Sequence, residues 1–447
     1  MKTYYFLGIG GIGMSAIARY LNESGDRIFG YDRVRTELTR ELEKEGMTIT
    51  YNDDVSTLPN SIDMVIYTPA VPKDNLIYNY FVENNLPMKK RSQVLGEITK
   101  GKKCIAVAGT HGKTTCSTMI AHILHNSSTG CSAFLGGISK NFNSNYVINH
   151  KSEYVVVEAD EYDRSFLNLS PTIAAITSID ADHLDIYGNK EELKKSFVEF
   201  ADKTSEVLIY KFGLDIELEE ETSYNKYSYT IKGFDADYYA VNIRNYNGSY
   251  YFDLRTPEKV YYDICLNYGG IHNVENAVLA ISVGLICGVT EQEIRKSVSS
   301  FSGAQRRFDV RIKKNNFIYI DDYAHHPNEI KAFIESLRFQ YPNKRITGVF
   351  QPHLYSRTRD FENDFIRELS KLDEVVLLDI YPAREKPIEG VSSKALLYKI
   401  DKMDKYYTLK EGLLDLLDAL YPEILITMGA GDIADLVPLI EERFRDE

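Results

Sequence analysis

Lys102-Lys103-Cys104-Ile105-Ala106-Val107-Ala108-Gly109-Thr110-His111-Gly112-Lys113-Thr114-Thr115 is the stretch that decides how this chain folds. Ile105 to Ala108 are small or β-branched and read as a short buried strand. Gly109 and Gly112 let the backbone turn tightly, and Met119, Ile120, Ile123 and Leu124 follow at helical spacing. A strand, a glycine loop and a helix N-terminus gather backbone N–H groups and the positive end of a helix dipole around one point. A polyphosphate sits at such a point. Lys113 then reaches the β- and γ-phosphates, and the Thr114 hydroxyl ligates Mg2+. Gly109, Thr110, His111, Gly112 and Thr115 are the other candidate nucleotide-binding positions. The usual pattern has glycine where this chain has Val107, so the match is to a shorter G-x-x-G-K-T-T form. A glycine-rich turn with an exposed lysine is the bland alternative.

Towards the N-terminus, Tyr4 to Leu7 read as a strand, followed by Gly8-Ile9-Gly10-Gly11-Ile12-Gly13 and an amphipathic helix through Leu21. This is G-x-G-x-x-G in the strand-to-helix context that the motif requires. Arg27 to Tyr31 form a second strand ending at Asp32, where an acidic residue would meet a ribose hydroxyl, and Asp63 to Thr68 a third. The first ninety residues therefore read as a small Rossmann-like domain. The loop by itself fits NAD or any nucleotide diphosphate.

Towards the C-terminus, Tyr154 to Glu158 and Ile173 to Thr177 are buried-type strands. They run into Glu158-Ala159-Asp160-Glu161 and Asp180-Ala181-Asp182-His183-Leu184-Asp185. Functional residues collect at the carboxyl ends of strands in open α/β sheets, and carboxylates suit Mg2+. Capping acids and a surface histidine are the structural alternative. Residues 211–266 show Tyr-rich alternation, which predicts an antiparallel insertion serving as scaffold. Asn273 and Asn276 lie three apart on the next helix. Amides at that spacing could read an adenine edge, although a helix cap by Asn273 is simpler. In the last third, four strands end in polar or Gly-rich loops, beginning at Asp321, Gln351, Tyr381 and Gly429, so a third α/β domain presents one face to a ligand.

The length of 447 residues suggests about three domains. A net charge of −13 argues against a nucleic-acid partner. The five cysteines form no C-x-x-C pair and read as thiols in a reducing compartment. No apolar run approaches the roughly 18 residues of a membrane span, so the expectation is a cytoplasmic chain without an anchor.

Taken in order, Phe6 to Ala18, Ala108 to Thr115, Glu158 to Glu161, Ala181-Asp182-His183, His272-Asn273-x-x-Asn276, Arg306-Arg307-Phe308, Asp322 to Pro327 and Phe350 to His353 resemble the Mur ligases. Within that family they look like the branch that joins L-alanine to UDP-N-acetylmuramate, and the resemblance covers essentially the whole chain. It implies an α/β fold of three domains. Residues 1–90 would be a Rossmann-like UDP-sugar domain, 91–305 a central P-loop ATPase domain with a mostly parallel sheet, and 306–447 a Rossmann-like amino-acid domain. It implies ATP and Mg2+ as cofactors, and an acyl phosphate formed on the sugar's lactyl carboxylate and attacked by the amine. It also implies a monomer or weak homodimer, and domain closure before chemistry.

Carried over by position, Lys113 would hold the phosphates. Thr114 and Glu158 would bind Mg2+, with His183 at a metal or the acyl phosphate. Asn273 and Asn276 would contact adenine, while Arg307 and Asp322 would reach the nucleotide. Gly8, Gly10, Gly11 and Gly13 would bind the UDP pyrophosphate, with Arg91 and Asp32 assisting at the UDP-sugar. His325, His353 and Arg357 would shape the amino-acid site, a guanidinium suiting the alanine carboxylate. The family often shows His-Arg-Tyr-Thr-Arg where this chain has His353-Leu354-Tyr355-Ser356-Arg357, so one guanidinium is missing. Three other readings compete. A related ligase would attach a ready-made peptide, an NAD-dependent oxidoreductase would use only the first loop, and a nucleotide switch would leave the last domain's polar loops without work.

Overall fold

The computed structural model describes residues 1–180, 184–246, 248–383 and 385–445. They form three sheets within two compact units. The first unit comprises Met1–Arg244, Tyr251–Asn267 and Glu275–Ser302. The second comprises Asn245–Tyr250, Tyr268–Val274 and Gly303–Glu447.

In the first unit, β1 (Thr3–Leu7), β2 (Arg27–Tyr31), β3 (Thr48–Thr50), β4 (Met64–Tyr67) and β5 (Met88–Lys90) make a parallel sheet in the order β3-β2-β1-β4-β5. The larger sheet holds β6 (Lys103–Ala108), β7 (Ser132–Ser139), β8 (Ser144–Val147), β9 (Tyr154–Glu158), β10 (Ile173–Ile176), β11 (Val207–Lys211), β12 (Asn225–Thr230), β13 (Tyr238–Tyr246), β14 (Ser249–Arg255) and β15 (Val260–Leu266). Its order is β15-β14-β13-β12-β11-β10-β6-β9-β7-β8. Cys104 to Ala108 are wholly buried at its centre, flanked in parallel by β9 and β10. A strand covered on both faces tolerates only apolar residues, hence the unbroken run of small side chains.

The Tyr-rich stretch departs from expectation. Instead of starting an antiparallel insertion, β12 pairs in parallel with β11, and β13 in parallel with β12, so these strands extend the central sheet. Alternation of side chains reports which face is buried and carries no information on a partner's direction.

The two sheets of this unit are tied by Arg19, which lies in the helix Ile12–Glu23 and is buried. Its guanidinium donates to Glu45 at 2.8 Å and to Asn145 Oδ1 of β8 at 2.6 Å. Asn145 in turn donates to the Ile12 carbonyl at 2.6 Å.

The second unit carries β16 (Asp309–Lys313), β17 (Ile318–Asp322), β18 (Ile346–Phe350), β19 (Glu374–Leu377), β20 (Lys405–Tyr407) and β21 (Ile424–Met428), in the order β16-β17-β21-β18-β19-β20. All pairs are parallel except β16 with β17. Parallel alignment brings the carboxyl ends of β17, β18, β19 and β21 to one edge, where the polar loops lie. No helix among the described residues is long and apolar enough to cross a membrane.

Candidate active site

The phosphate loop joins β6 to the helix Lys113–His125. Gly109 has φ +133°, and a side chain there would collide with Thr177 Oγ1. Gly112 caps the helix at φ +82°. Thr110 and His111 pin the loop to the end of β10. The Thr110 amide donates to the Ser178 carbonyl at 3.0 Å, the His111 amide to Ser178 Oγ at 2.8 Å, and His111 Nε2 lies 3.1 Å from Asp180. Thr114 and Thr115 are buried in the first helical turn. Asn276 brings its side-chain oxygen beside Gly112 and accepts from Cys116 Sγ at 3.2 Å.

Lys113 does not project freely. Its Nζ donates to the Gly109 carbonyl at 2.6 Å and to Glu161 at 2.8–2.9 Å. Burial opposes the lysine charge, but the carboxylates of Glu161, Asp160 and Glu158 outweigh it and raise its pKa above the ordinary value. Glu161 is 1% exposed, and its carbonyl accepts from the Tyr187 hydroxyl at 2.6 Å. Sequence reading quoted Glu161 without a role. Its partner lies 48 residues away, so only packing could reveal it.

Glu158 ends β9, where its carboxylate occupies the space that a side chain at Gly136 would fill. Its Oε2 is buried without a hydrogen-bond partner among the described residues. An ionised oxygen held this way is costly unless a cation meets it. With the Thr114 hydroxyl it offers the hard oxygen donors that Mg2+ prefers, so these residues fit the metal. His183, expected at the metal or the acyl phosphate, falls outside the described residues.

The other glycine loop, between β1 and its helix, lies in the same unit. Gly8 has φ +84°. Asp32 accepts from the amides of Gly10, at 2.8 Å, and Val34, at 3.2 Å. It therefore braces the loop from within, a role that the ribose expectation did not include. Gly10 fits between Thr39 and Asp32, Gly11 donates to the Gly8 carbonyl at 3.2 Å, and Gly13 carries no side chain because the Arg91 guanidinium lies across it. Arg91 also donates to Asp160 at 3.1 Å, and neighbouring Lys90 to Asp163 at 2.7 Å. Through Arg91 and Lys113, both glycine loops are thus linked to one acidic turn, Glu158 to Asp163.

In the second unit, His325 follows β17 and His353 follows β18, with ring centres 5.9 Å apart. His325 Nδ1 lies 2.9 Å from the Tyr323 carbonyl and 3.2 Å from Glu329. His353 stacks on Tyr381 at 5.7 Å, a neighbour not expected from sequence. Arg357 is buried in the short helix Tyr355–Asp360. Leu354, where the family often has arginine, adopts φ +69°, a left-handed value strained for a branched side chain. Its amide donates to the Tyr381 carbonyl at 3.0 Å, and its carbonyl accepts from the Thr358 hydroxyl at 2.7 Å.

Asp322 is 8% exposed and accepts from the amides of Phe308, at 2.6 Å, and Ala324, at 2.8 Å. Burial pushes its carboxyl up to about 6, against the opposing pull of Arg307 and those amides. Arg307 lies over the Tyr323 ring at 4.9 Å. Asn273 sits inside the helix Ile271–Ile286 rather than capping it, and its side chain donates to the Gly269 carbonyl at 2.6 Å.

Three family models match this chain: residues 3–103 as the Mur ligase family catalytic domain, 107–284 as the Mur ligase middle domain and 306–431 as the Mur ligase glutamate ligase domain. A UDP-N-acetylmuramate–L-alanine ligase of Christiangramia forsetii is 46% identical over all of this chain and 98% of its own. One of Phocaeicola vulgatus is 46% identical over 98% of this chain and 97% of its own. Among solved structures, a UDP-N-acetylmuramate–alanine ligase from Thermotoga maritima superposes with a TM-score of 0.86 at 27% identity, covering all of both chains. A murein peptide ligase from Psychrobacter arcticus shares the fold, with a TM-score of 0.74 at 20% identity over 99% of this chain and 98% of that one.

Proposed function

Because the chain belongs to the Mur ligase family along its whole length, we infer that it joins L-alanine to the lactyl carboxylate of UDP-N-acetylmuramate with hydrolysis of ATP, a step in making peptidoglycan precursors. The observation that carries this reading is the convergence of two glycine loops on one acidic turn. An oxidoreductase would need only the first loop, and a nucleotide switch only the second.

A lactyl carboxylate oxygen attacks the γ-phosphorus of ATP, ADP leaves, and an acyl phosphate forms. The alanine amine then attacks the acyl carbon, and the tetrahedral adduct expels phosphate as the amide closes. Such a reaction needs positioning and charge stabilisation more than covalent help. Lys113 and the amides of Gly109 to Thr115 would hold the β- and γ-phosphates. Thr114 and Glu158 would hold Mg2+, which when bound neutralises charge on the transferring group. Asn273 and Asn276 would contact adenine, and Arg307 and Asp322 the nucleotide. The Gly8 to Gly13 loop, with Arg91 beside it and Asp32 bracing it, would take the UDP pyrophosphate. His325, His353 and Arg357 would bind the alanine. We assign 1–90 to the sugar nucleotide, 91–305 to ATP and 306–447 to the amino acid. The enzyme works in the cytoplasm, as a monomer or weak homodimer, a setting that suits its free and mostly buried thiols.

The test is phosphate release from Mg-ATP with UDP-N-acetylmuramate, adding L-alanine, other amino acids or short peptides one at a time. Release that requires L-alanine and falls by about a thousandfold in Lys113→Ala supports the reading. Release only with a peptide would reassign the acceptor, and none with any acceptor would end the ligase reading.

A further inference from the structure

The acidic turn is held from two directions. Arg91 and Lys90, at the end of the small sheet, pair with Asp160 and Asp163, while Lys113 of the phosphate loop pairs with Glu161. Asp160 and Glu161 share a peptide bond and cannot shift independently. The turn itself is tightly wound. Asp160 Oδ1 accepts from the Tyr162 amide at 3.1 Å, and its carbonyl accepts from the Phe166 amide at 2.9 Å. Asp163 and Arg164 both sit at φ +53°, a left-handed pair without glycine that persists only while surrounding contacts enforce it. The Arg91 and Asp160 side chains are 21% and 38% exposed, so an anion entering the first glycine loop can reach this ion pair from solvent.

We propose that the Asp160–Glu161 dipeptide is a latch through which the sugar-nucleotide loop and the phosphate loop register each other's occupancy. The proposal rests on the ligase reading above. A diphosphate on the Gly8 to Gly13 loop competes with Asp160 for the Arg91 guanidinium. Once Arg91 turns to the diphosphate, the strained turn loses a restraint and Glu161 releases Lys113 towards the phosphate loop. In the reverse direction, a triphosphate that draws Lys113 off Glu161 loosens the same turn and frees Arg91. Whichever ligand arrives first must open the latch, and the second finds it open. The coupling is therefore positive and reciprocal. Lys113 engages ATP fully only when the acceptor is in place, which limits idle hydrolysis.

The experiment is calorimetric titration of the full chain with UDP-N-acetylmuramate and with the Mg2+ complex of a non-hydrolysable ATP analogue, each alone and each in the presence of the other. Wild type should bind each ligand about fivefold more tightly when the other is present, the range of an ordinary coupling energy. Asp160→Asn should bind each ligand alone more tightly than wild type, with the coupling factor falling towards one. Glu161→Gln, which leaves the Arg91 contact intact, should lose the coupling likewise. A merely structural role predicts the opposite pattern: weaker binding of both ligands at an unchanged ratio. That pattern, wild-type coupling near one, or coupling that survives both substitutions overturns the latch. Failure of wild type to bind UDP-N-acetylmuramate at all would overturn the ligase reading instead.

Discussion

At the scale of single residues, two carboxylates with different surroundings give opposite expectations. Glu158 keeps a buried oxygen without a hydrogen-bond partner among the described residues, a position suited to meeting a cation. Glu158→Gln retains the shape and removes the charge. The Mg2+ concentration for half-maximal phosphate release should rise at least about tenfold, measured by metal titration at saturating substrates. Asp322 is the reverse case, since burial lifts its carboxyl to about 6. A folded-state value above the unfolded one means the folded chain holds a proton that the unfolded chain has released. Its stabilising effect is full below the unfolded value of about 3.9 and is lost as pH rises through the folded value. Between pH 4.5 and 7, wild type should therefore lose about 2 kcal/mol relative to Asp322→Asn, read from urea unfolding at each pH.

At the scale of elements, the phosphate loop depends on a residue that has no side chain. Gly109 combines φ +133° with Thr177 Oγ1 and the Ser178 amide in the space a Cβ would need. Gly109→Ala should lower unfolding stability by about 3 kcal/mol and abolish nucleotide binding, since neither backbone nor neighbour can give way cheaply. This loop was legible in the sequence because strand, glycines and helix are consecutive there. The parallel pairing of β12 with β11 and of β13 with β12 was not, because alternation cannot tell a parallel neighbour from an antiparallel one. Nor was the strained turn at Leu354, which hydrogen bonds to Tyr381 and Thr358 enforce from outside the residue.

At the scale of the molecule, Arg19 joins the two sheets of the first unit through Glu45 and Asn145. Arg19→Ala would take the donor away from the buried Asn145 Oδ1, while the exposed Glu45 would turn to solvent. It should lower the unfolding free energy by about 2 kcal/mol, the cost of one buried acceptor left without its donor, seen as a shift of the urea midpoint. A variant with an unchanged midpoint would show that the sheets are held by apolar packing alone.

The sequence by itself determined the elements whose chemistry is local. Both glycine loops, the carboxylates at the ends of β9 and β10, and the polar loops of the second unit follow from residues adjacent in the chain. Glycine conformations and strand-to-helix turns need no distant partner. Tertiary structure alone decided which charges meet. Lys113 and Glu161 are 48 residues apart, Arg91 and Asp160 69, and Lys90 and Asp163 73. The first pair forms when β6 and β9 align in one sheet, and the other two only after the two sheets have packed, because the energy that brings them together is the burial of apolar faces and not their own attraction.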